Sequence, residues 1–359
     1  MAPRVFTDEH AWAMEGMAGT RTGQTRPCLF FDFPTGSWLF HGPVSRLSDL
    51  GLRRKPLLQM DTPQHGHAPV MLQEVMDLLS PQPGDVVLDC TTGRGGHALA
   101  MAAKIGVAGT LLCLDVDPEN LAFARKRLEN SGPACRFFQA NFSQLPDVLQ
   151  AAAIPAVDVI LADLGVSTNQ LMSSEYGLSF SHDGPLDMRL DPGLDKTAAD
   201  LVNYLPEKQL ADLIFNNAEE RLSRRIARAI VQARKLKAIS TTAELAKIVR
   251  AAMPPARYGQ IDPATRTFQA LRMRVNNELD NLAELLKAAR QTLKPGGRMG
   301  IISFHSGEDR LVKQSFRQWA ADGQCEVLTS KPVVPTEFEM DANPRSRSAK
   351  MRVARRRKQ

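Results

Sequence analysis

Val86-Val87-Leu88-Asp89-Cys90-Thr91-Thr92-Gly93-Arg94-Gly95-Gly96-His97 is the stretch that decides the fold. A short apolar run after Pro83-Gly84-Asp85 reads as a buried strand, stops on an acid, and turns through glycines into an apolar helix over 98–105. Glycines at such a turn let the backbone approach a ligand, and the helix start offers free N–H groups. The same unit recurs on both sides. Strands are predicted over 110–114, 136–138 and 157–162, with helices over 69–79 and 118–129, the latter opening on Pro118. Strands separated by helices of about ten residues make right-handed βαβ units. The expected class is α/β, a doubly wound, mostly parallel sheet covered on both faces.

The alternation stops between Asp163 and about Arg266, where helices are predicted over 197–203, 206–216, 219–237 and 242–252. One long helix over 267–293 then leads through Lys294-Pro295-Gly296-Gly297 into a strand over 298–304, and a helix over 308–321 and a strand over 326–328 return to the sheet. The organisation expected is a core over 60–170 and 267–343, a helical insertion over 171–266, a basic tail over 344–359 and a poorly ordered extension over 1–59. Met60 stands just before the patterned part, so the extension is either an appendage or a matter of start-codon choice; Asp8, Glu9 and Glu15 argue against a mitochondrial presequence.

Apolar residues are 43% and charged residues 23% of the 359, enough for a core and too apolar for a disordered chain. No run of 18 apolar residues free of charge exists, which excludes a helical membrane span. Cys28, Cys90, Cys113, Cys135 and Cys325 are scattered without metal-ligand spacing, so no metal site is expected and a reducing, cytoplasmic setting is. The net charge is +6, but Pro344 to Gln359 carries eight basic residues and no acid, leaving 37 basic against 39 acidic residues elsewhere. The tail, Arg345 to Lys358, therefore reads as a phosphate clamp or a solubilising end. The helix over 219–237 sets Leu222, Ile226, Ala229, Ile230, Ala233 and Leu236 on one stripe, with Arg221, Arg224, Arg228 and Lys235 opposite. That basic face is either solvated or tracks phosphates, with Arg250, Arg257, Arg266, Arg272 and Arg274 adding charge nearby.

Twenty residues beyond Gly95 the next strand ends on Asp115, where a carboxylate can accept both hydroxyls of a ribose. A nucleoside cofactor follows, of open class. The glycines do not follow G-x-G-x-x-G, which weakens a dinucleotide, and Lys294-Pro295-Gly296-Gly297-Arg298 is a turn associated with S-adenosylmethionine-dependent methyltransferases. Asp163 ends the strand Val157-Asp158-Val159-Ile160-Leu161-Ala162, at the edge where open sheets bind ligands. It either caps the next turn or positions a methyl acceptor. An exocyclic base amine is a poor nucleophile, and a carboxylate accepting its N–H would align the lone pair and offset the charge that develops.

Several long motifs carry a resemblance. They are Thr92-Gly93-Arg94-Gly95-Gly96-His97, Asp163-Leu164-Gly165-Val166-Ser167, Asp183-Gly184-Pro185-Leu186-Asp187-Met188-Arg189, Arg225-Ile226-Ala227-Arg228-Ala229-Ile230, Pro263-Ala264-Thr265-Arg266-Thr267-Phe268-Gln269-Ala270, Ile301-Ile302-Ser303-Phe304-His305-Ser306 and Asn343-Pro344-Arg345. From about His67 to Arg352 the chain resembles the bacterial ribosomal small-subunit RNA (cytosine-N4)-methyltransferases, the RsmH/MraW family. The resemblance implies a class I methyltransferase core, S-adenosyl-L-methionine as cofactor, and N4 of a cytosine in the decoding region of 16S rRNA, within the small ribosomal subunit, as target. Carried over by motif, the cofactor contacts are Gly95, Gly96, His97, Asp115, Phe142, Asp163 and Gln170, with Asp163 also catalytic. Phe142 follows the third strand, where a ring could pack on adenine.

Tyr176, Phe180, His182, Asp183, Asp187 and Arg189 crowd the loop after the fourth strand, a lid or target-base pocket if not simply a packed loop. Substrate contacts are expected at Phe180, Asp183, Asp187, Arg189, Arg224, Arg228, Arg266, His305 and Arg345. Three departures from the family pattern stand out: Cys90 where Gly is usual, Asn169 where Pro is usual and Gly307 where Leu is usual, the last expected to loosen the loop carrying His305. Two rival readings remain, a DNA amino-methyltransferase and a non-catalytic ribosome-assembly factor. The first is weakened because Asp163-Leu164-Gly165-Val166 lacks the Asp/Asn-Pro-Pro-aromatic signature. A homodimer is compatible with the sequence but not required by it.

Overall fold

The computed structural model describes residues 69–255 and 261–358, together with the backbone of Arg4–Val5. The remainder of the extension expected over 1–59 lies outside the described residues. Arg4–Val5 (β1) adds an antiparallel pair of residues to one sheet edge. Val86–Asp89 (β2), Thr110–Asp115 (β3), Ala134–Gln139 (β4), Val157–Asp163 (β5) and Leu293–Ser303 (β6) run parallel in the order β4-β3-β2-β5-β6. Cys325–Val327 (β7) and Lys350–Arg356 (β8) close the other side, with β8 antiparallel between β6 and β7. This is the doubly wound, mostly parallel sheet expected of a class I methyltransferase.

Strand residues alternate between two apolar layers, as the period of two requires. Leu88, Leu112, Leu114, Ile160, Ala162 and Ile301 face one, with Leu145–Ala151 (α4), Glu278–Thr292 (α11) and Ser306–Ala321 (α12) packed over them. Val87, Leu111, Cys113, Val159, Leu161 and Ile302 face the other, covered by Leu72–Leu79 (α1), Gly96–Ile105 (α2) and Pro118–Leu128 (α3). With both faces buried, the strands must be nearly continuous apolar runs, which is why they were readable.

A third apolar cluster belongs to the inserted helices: Ala198–Tyr204 (α6), Glu207–Ala218 (α7), Ser223–Leu236 (α8) and Thr242–Ala252 (α9), which follow the short Thr168–Met172 (α5). The helix expected over 267–293 is two helices, Thr265–Val275 (α10) and α11. Asn277 adopts the left-handed conformation at φ 49°, which an asparagine tolerates and a helix interior does not. Phe268, Ala270, Leu271 and Val275 of α10 lie in the insertion's cluster, whereas α11 lies on the sheet, so the chain changes layers at that corner.

The C-terminal residues depart most from expectation. Arg345 to Lys358 is neither a clamp nor a free end over most of its length. Met351, Val353 and Ala354 are buried between β6 and β7, and apolar pairing with β6 outweighs the local charge. The Lys294–Gly297 turn is kept as an irregularity in β6. The register with β5 jumps from Val157↔Leu293 to Val159↔Arg298, and Gly296 turns at φ 85°.

Candidate active site

β2, β3 and β5 end side by side on Asp89, Asp115 and Asp163 at the carboxyl edge of the sheet. The turn after β2 is pinned to both neighbours. Thr91 Oγ1 accepts the Asp163 amide at 2.7 Å, and the Gly93 amide donates to Asp115 Oδ2 at 2.7 Å. Gly95 caps α2 in the left-handed region at φ 77°, and a Cβ on Gly96 would sit 2.6 Å from Pro69 Cγ. The two glycines thus admit a backbone path that L side chains would strain or block.

Two of the three carboxylates are short of partners. Asp89 Oδ2 and Asp163 Oδ1 are buried with no hydrogen bond among the described residues. Burial, with Asp115 as a like-charged neighbour, pushes Asp89 up to about 7 against the amide bond from Thr91. Burial likewise raises Asp115 to about 6, although its oxygens accept the amides of Gly93 and Asp117. Asp163 is raised well above the usual range by burial and then by Asp89, Glu308 and Glu339. His97 stands with Nδ1 3.8 Å from Asp163 Oδ2, but the contact is not an ion pair. Burial drops the imidazole to about 4, and its Nε2–H donates to the Val70 carbonyl at 2.9 Å, so Nδ1 faces Asp163 as a lone pair.

Asp117, which sequence reasoning passed over, ties the site to the loop after β5. One oxygen accepts the Glu119 and Asn120 amides as the N-cap of α3; the other accepts Gln170 Nε2 and the Tyr176 hydroxyl, each at 2.8 Å. An Asp directly before Pro118 is an N-cap signal that could have found it. Gln170, expected at the cofactor, uses its carbonyl on the Ser167 amide and its NH2 group on Asp117, and so braces this loop. Phe142 opens a 3-10 turn and packs half-buried beside the sheet.

The expected substrate residues divide. Phe180 is edge-on to Phe268 with centroids 4.9 Å apart and lies under the Arg250 guanidinium, so it packs within the insertion. Asp183 accepts the Ala243 amide at the start of α9. Asp187 and Arg189 form a two-bond fork, 2.8 Å each, which closes their own loop. His305 caps α12 through Nδ1, and its Nε2, 3.1 Å from Glu308 Oε1, is too poorly aligned to count as a hydrogen bond. Glu278, His305 and Glu308 could together face a cation, but Arg272 already engages both oxygens of Glu278. Arg224 is exposed on α8; Arg228 and Arg266 make only loose pairs with Glu207 at 3.6 Å and Glu220 at 3.8 Å. Arg345 Nη1 is buried with no acceptor among the described residues.

A profile of the MraW methylase family matches residues 64–357. The chain belongs to that family. Similar curated proteins include the "Ribosomal RNA small subunit methyltransferase H" of Koribacter versatilis, 46% identical over 302 aligned residues, covering 82% of this chain and 95% of the relative. The protein of the same name from Syntrophobacter fumaroxidans is 46% identical over 303 residues, covering 80% and 95%. The departures from the MraW pattern are absorbed locally. Cys90 is buried, and Asn169 Nδ2 bonds Asn120 Oδ1 at 3.1 Å. A Cβ at Gly307 would come within 3.2 Å of the His305 ring, so glycine there gives that ring room.

Among the described residues no helix is long and apolar enough to cross a membrane.

Proposed function

We propose that this MraW-family methylase transfers a methyl group from S-adenosylmethionine to the exocyclic N4 of a cytosine in the decoding region of 16S rRNA, on the small ribosomal subunit. The observation that carries the reading is the row of strand-end carboxylates beside the glycine turn, with buried oxygens on Asp89 and Asp163 still lacking donors. Such oxygens suit a ligand that brings N–H or O–H groups and positive charge.

When bound, the cofactor supplies an electrophilic methyl on a sulfonium. Asp115, with a lone pair left on each oxygen, accepts ribose hydroxyls, and the Gly95–Gly96 turn gives close backbone approach. Phe142 offers a ring face to adenine. Asp163 accepts an N–H of the target amine, aligning the nitrogen lone pair. Asp163, ionised once the cofactor's positive charge lies beside it, would take the proton that the methylated nitrogen sheds, and its raised proton affinity suits it to that role. Holding the reacting atoms within about 3.5 Å supplies much of the rate. Arg224, Arg228 and Arg266 face solvent and suit the phosphates of the target RNA.

The test is incubation of small subunits with labelled S-adenosylmethionine, followed by digestion of the 16S rRNA. N4-methylcytidine is expected; its absence, or transfer to duplex DNA instead, overturns the reading.

A further inference from the structure

Two buried nitrogens at the far end of the chain lack any acceptor among the described residues: Asn343 Nδ2 and Arg345 Nη1. Asn343 is 9% exposed, and Arg345 is half-buried with no carboxylate within ion-pair distance among the described residues. Burial alone acts on this guanidinium and lowers its proton affinity, with no acid to offset the cost. Buried donors ordinarily keep partners, so two unpaired ones in a rigid setting point to a ligand.

The setting is rigid. The Asn343 carbonyl accepts both the Ser346 amide and hydroxyl, at 2.9 and 2.8 Å, and the Ala349 amide bonds the Ser346 carbonyl at 2.8 Å, directly before β8. On the other side lies the helix Glu337–Ala342 (α13), whose Glu339 accepts the Met71 amide at 2.7 Å. Met71 follows Val70, whose carbonyl holds His97 beside Asp163, and the Glu339 charge reaches Asp163. The donor pair is therefore carried by a segment anchored to the wall of the candidate site.

We propose that Asn343 and Arg345 form an oxyanion-binding site serving the methyl-transfer reaction. Resting on the methyltransferase reading, it has two possible sources of oxyanion: a backbone phosphate of the target RNA or the carboxylate on the methionine part of the cofactor. Planar guanidinium and amide donors suit either.

Arg345→Gln and Arg345→Lys test it. Calorimetry would compare S-adenosylhomocysteine, which carries the carboxylate, with 5′-methylthioadenosine, which does not. A parallel series would follow the salt dependence of binding to purified small subunits. If the carboxylate is the ligand, Arg345→Gln weakens S-adenosylhomocysteine about tenfold or more and leaves methylthioadenosine unchanged. If a phosphate is the ligand, both nucleosides bind as before while the salt slope for particles falls by about one. In either case Arg345→Lys recovers part of the loss, and the unfolding midpoint of Arg345→Gln does not fall. Unchanged binding in every arm, equal weakening of both nucleosides, or a lowered midpoint overturns the site. Wild-type protein that binds S-adenosylhomocysteine yet transfers no methyl would count against the reaction while leaving the binding arms to decide the site.

Discussion

Strand β8 and the mouth of the sheet are both dense in charge, and their charges are spent differently. In β8, Arg352 forks onto Asp309, Arg355 pairs with Glu326, and Arg356 reaches the carbonyls of Gln291 and Leu293. Arg357, just beyond, bonds the Cys325 carbonyl at 3.2 Å. At the mouth, Asp89 and Asp163 keep buried oxygens with no donor among the described residues, and their carboxyls are raised. Both regions draw the eye in the sequence. Satisfied charge in β8 is part of the scaffold, while unsatisfied charge at the mouth is held ready for something the chain does not contain.

Substitution at Asp163 gives the sharpest break. Asp163→Asn should lower methyl transfer by about 10²–10⁴-fold while leaving urea unfolding unchanged, because an amide matches the protonated carboxyl that burial favours while the site holds no cation. An undiminished rate would remove Asp163 from the reaction. The opposite pattern is expected at Arg352, whose side chain is 8% exposed against 15% for Asp309. Arg352→Ala leaves a buried carboxylate unpaired and should cost about 3 kcal/mol in urea unfolding. A loss near zero would erase the contrast between the two regions.

A smaller effect is expected from pH. Asp89 and Asp115 hold protons up to about 7 and 6 in the fold, against 3.8 for the free group, so the folded state binds more protons across that window. Its stability therefore falls as pH climbs from about 4 to 7, opposed in part by His97, which is held to about 4. Ribose hydroxyls need Asp115 ionised, so affinity for S-adenosylhomocysteine should drop roughly tenfold from pH 7 to pH 5. A calorimetric titration checks this, and Asp115→Asn should flatten the profile. The smallest effects separate two sets of arginines. Changing Arg224, Arg228 and Arg266 to Gln should reduce the salt slope of particle binding by about two to three, and changing Arg355, Arg356 and Arg357 should leave it unaltered. This reverses what the tail's composition suggests.

The strands ending on Asp89, Asp115 and Asp163 were legible because a strand buried on both faces leaves an apolar run with one reading. The glycine turn between them was legible for its own backbone reason. β8 was not, because Met351-Arg352-Val353-Ala354 becomes a strand only by pairing with β6, some fifty positions earlier. The break at Asn277 was hidden for a similar cause: Asn276-Asn277-Glu278 can continue a helix, and the chain turns there because α10 and α11 pack on different layers. Phe180, Asp183, Asp187 and Arg189 have the chemistry of a binding loop, yet they are taken up by Phe268, Arg250, the Ala243 amide and one another. Residue type alone could not separate those uses.

The bond from Met71 to Glu339 stitches together positions 268 apart, and it lies outside the sheet's own ladder. The backing of His97 is thus a seam between the two ends of the catalytic fold. It can part while β2 and β3 stay paired, so amides over 69–79 and 337–343 should trade hydrogen for deuterium in concert and ahead of the central strands. Whatever fills the mouth would slow both stretches at once, which makes the seam a reporter of occupancy that lies away from the chemistry.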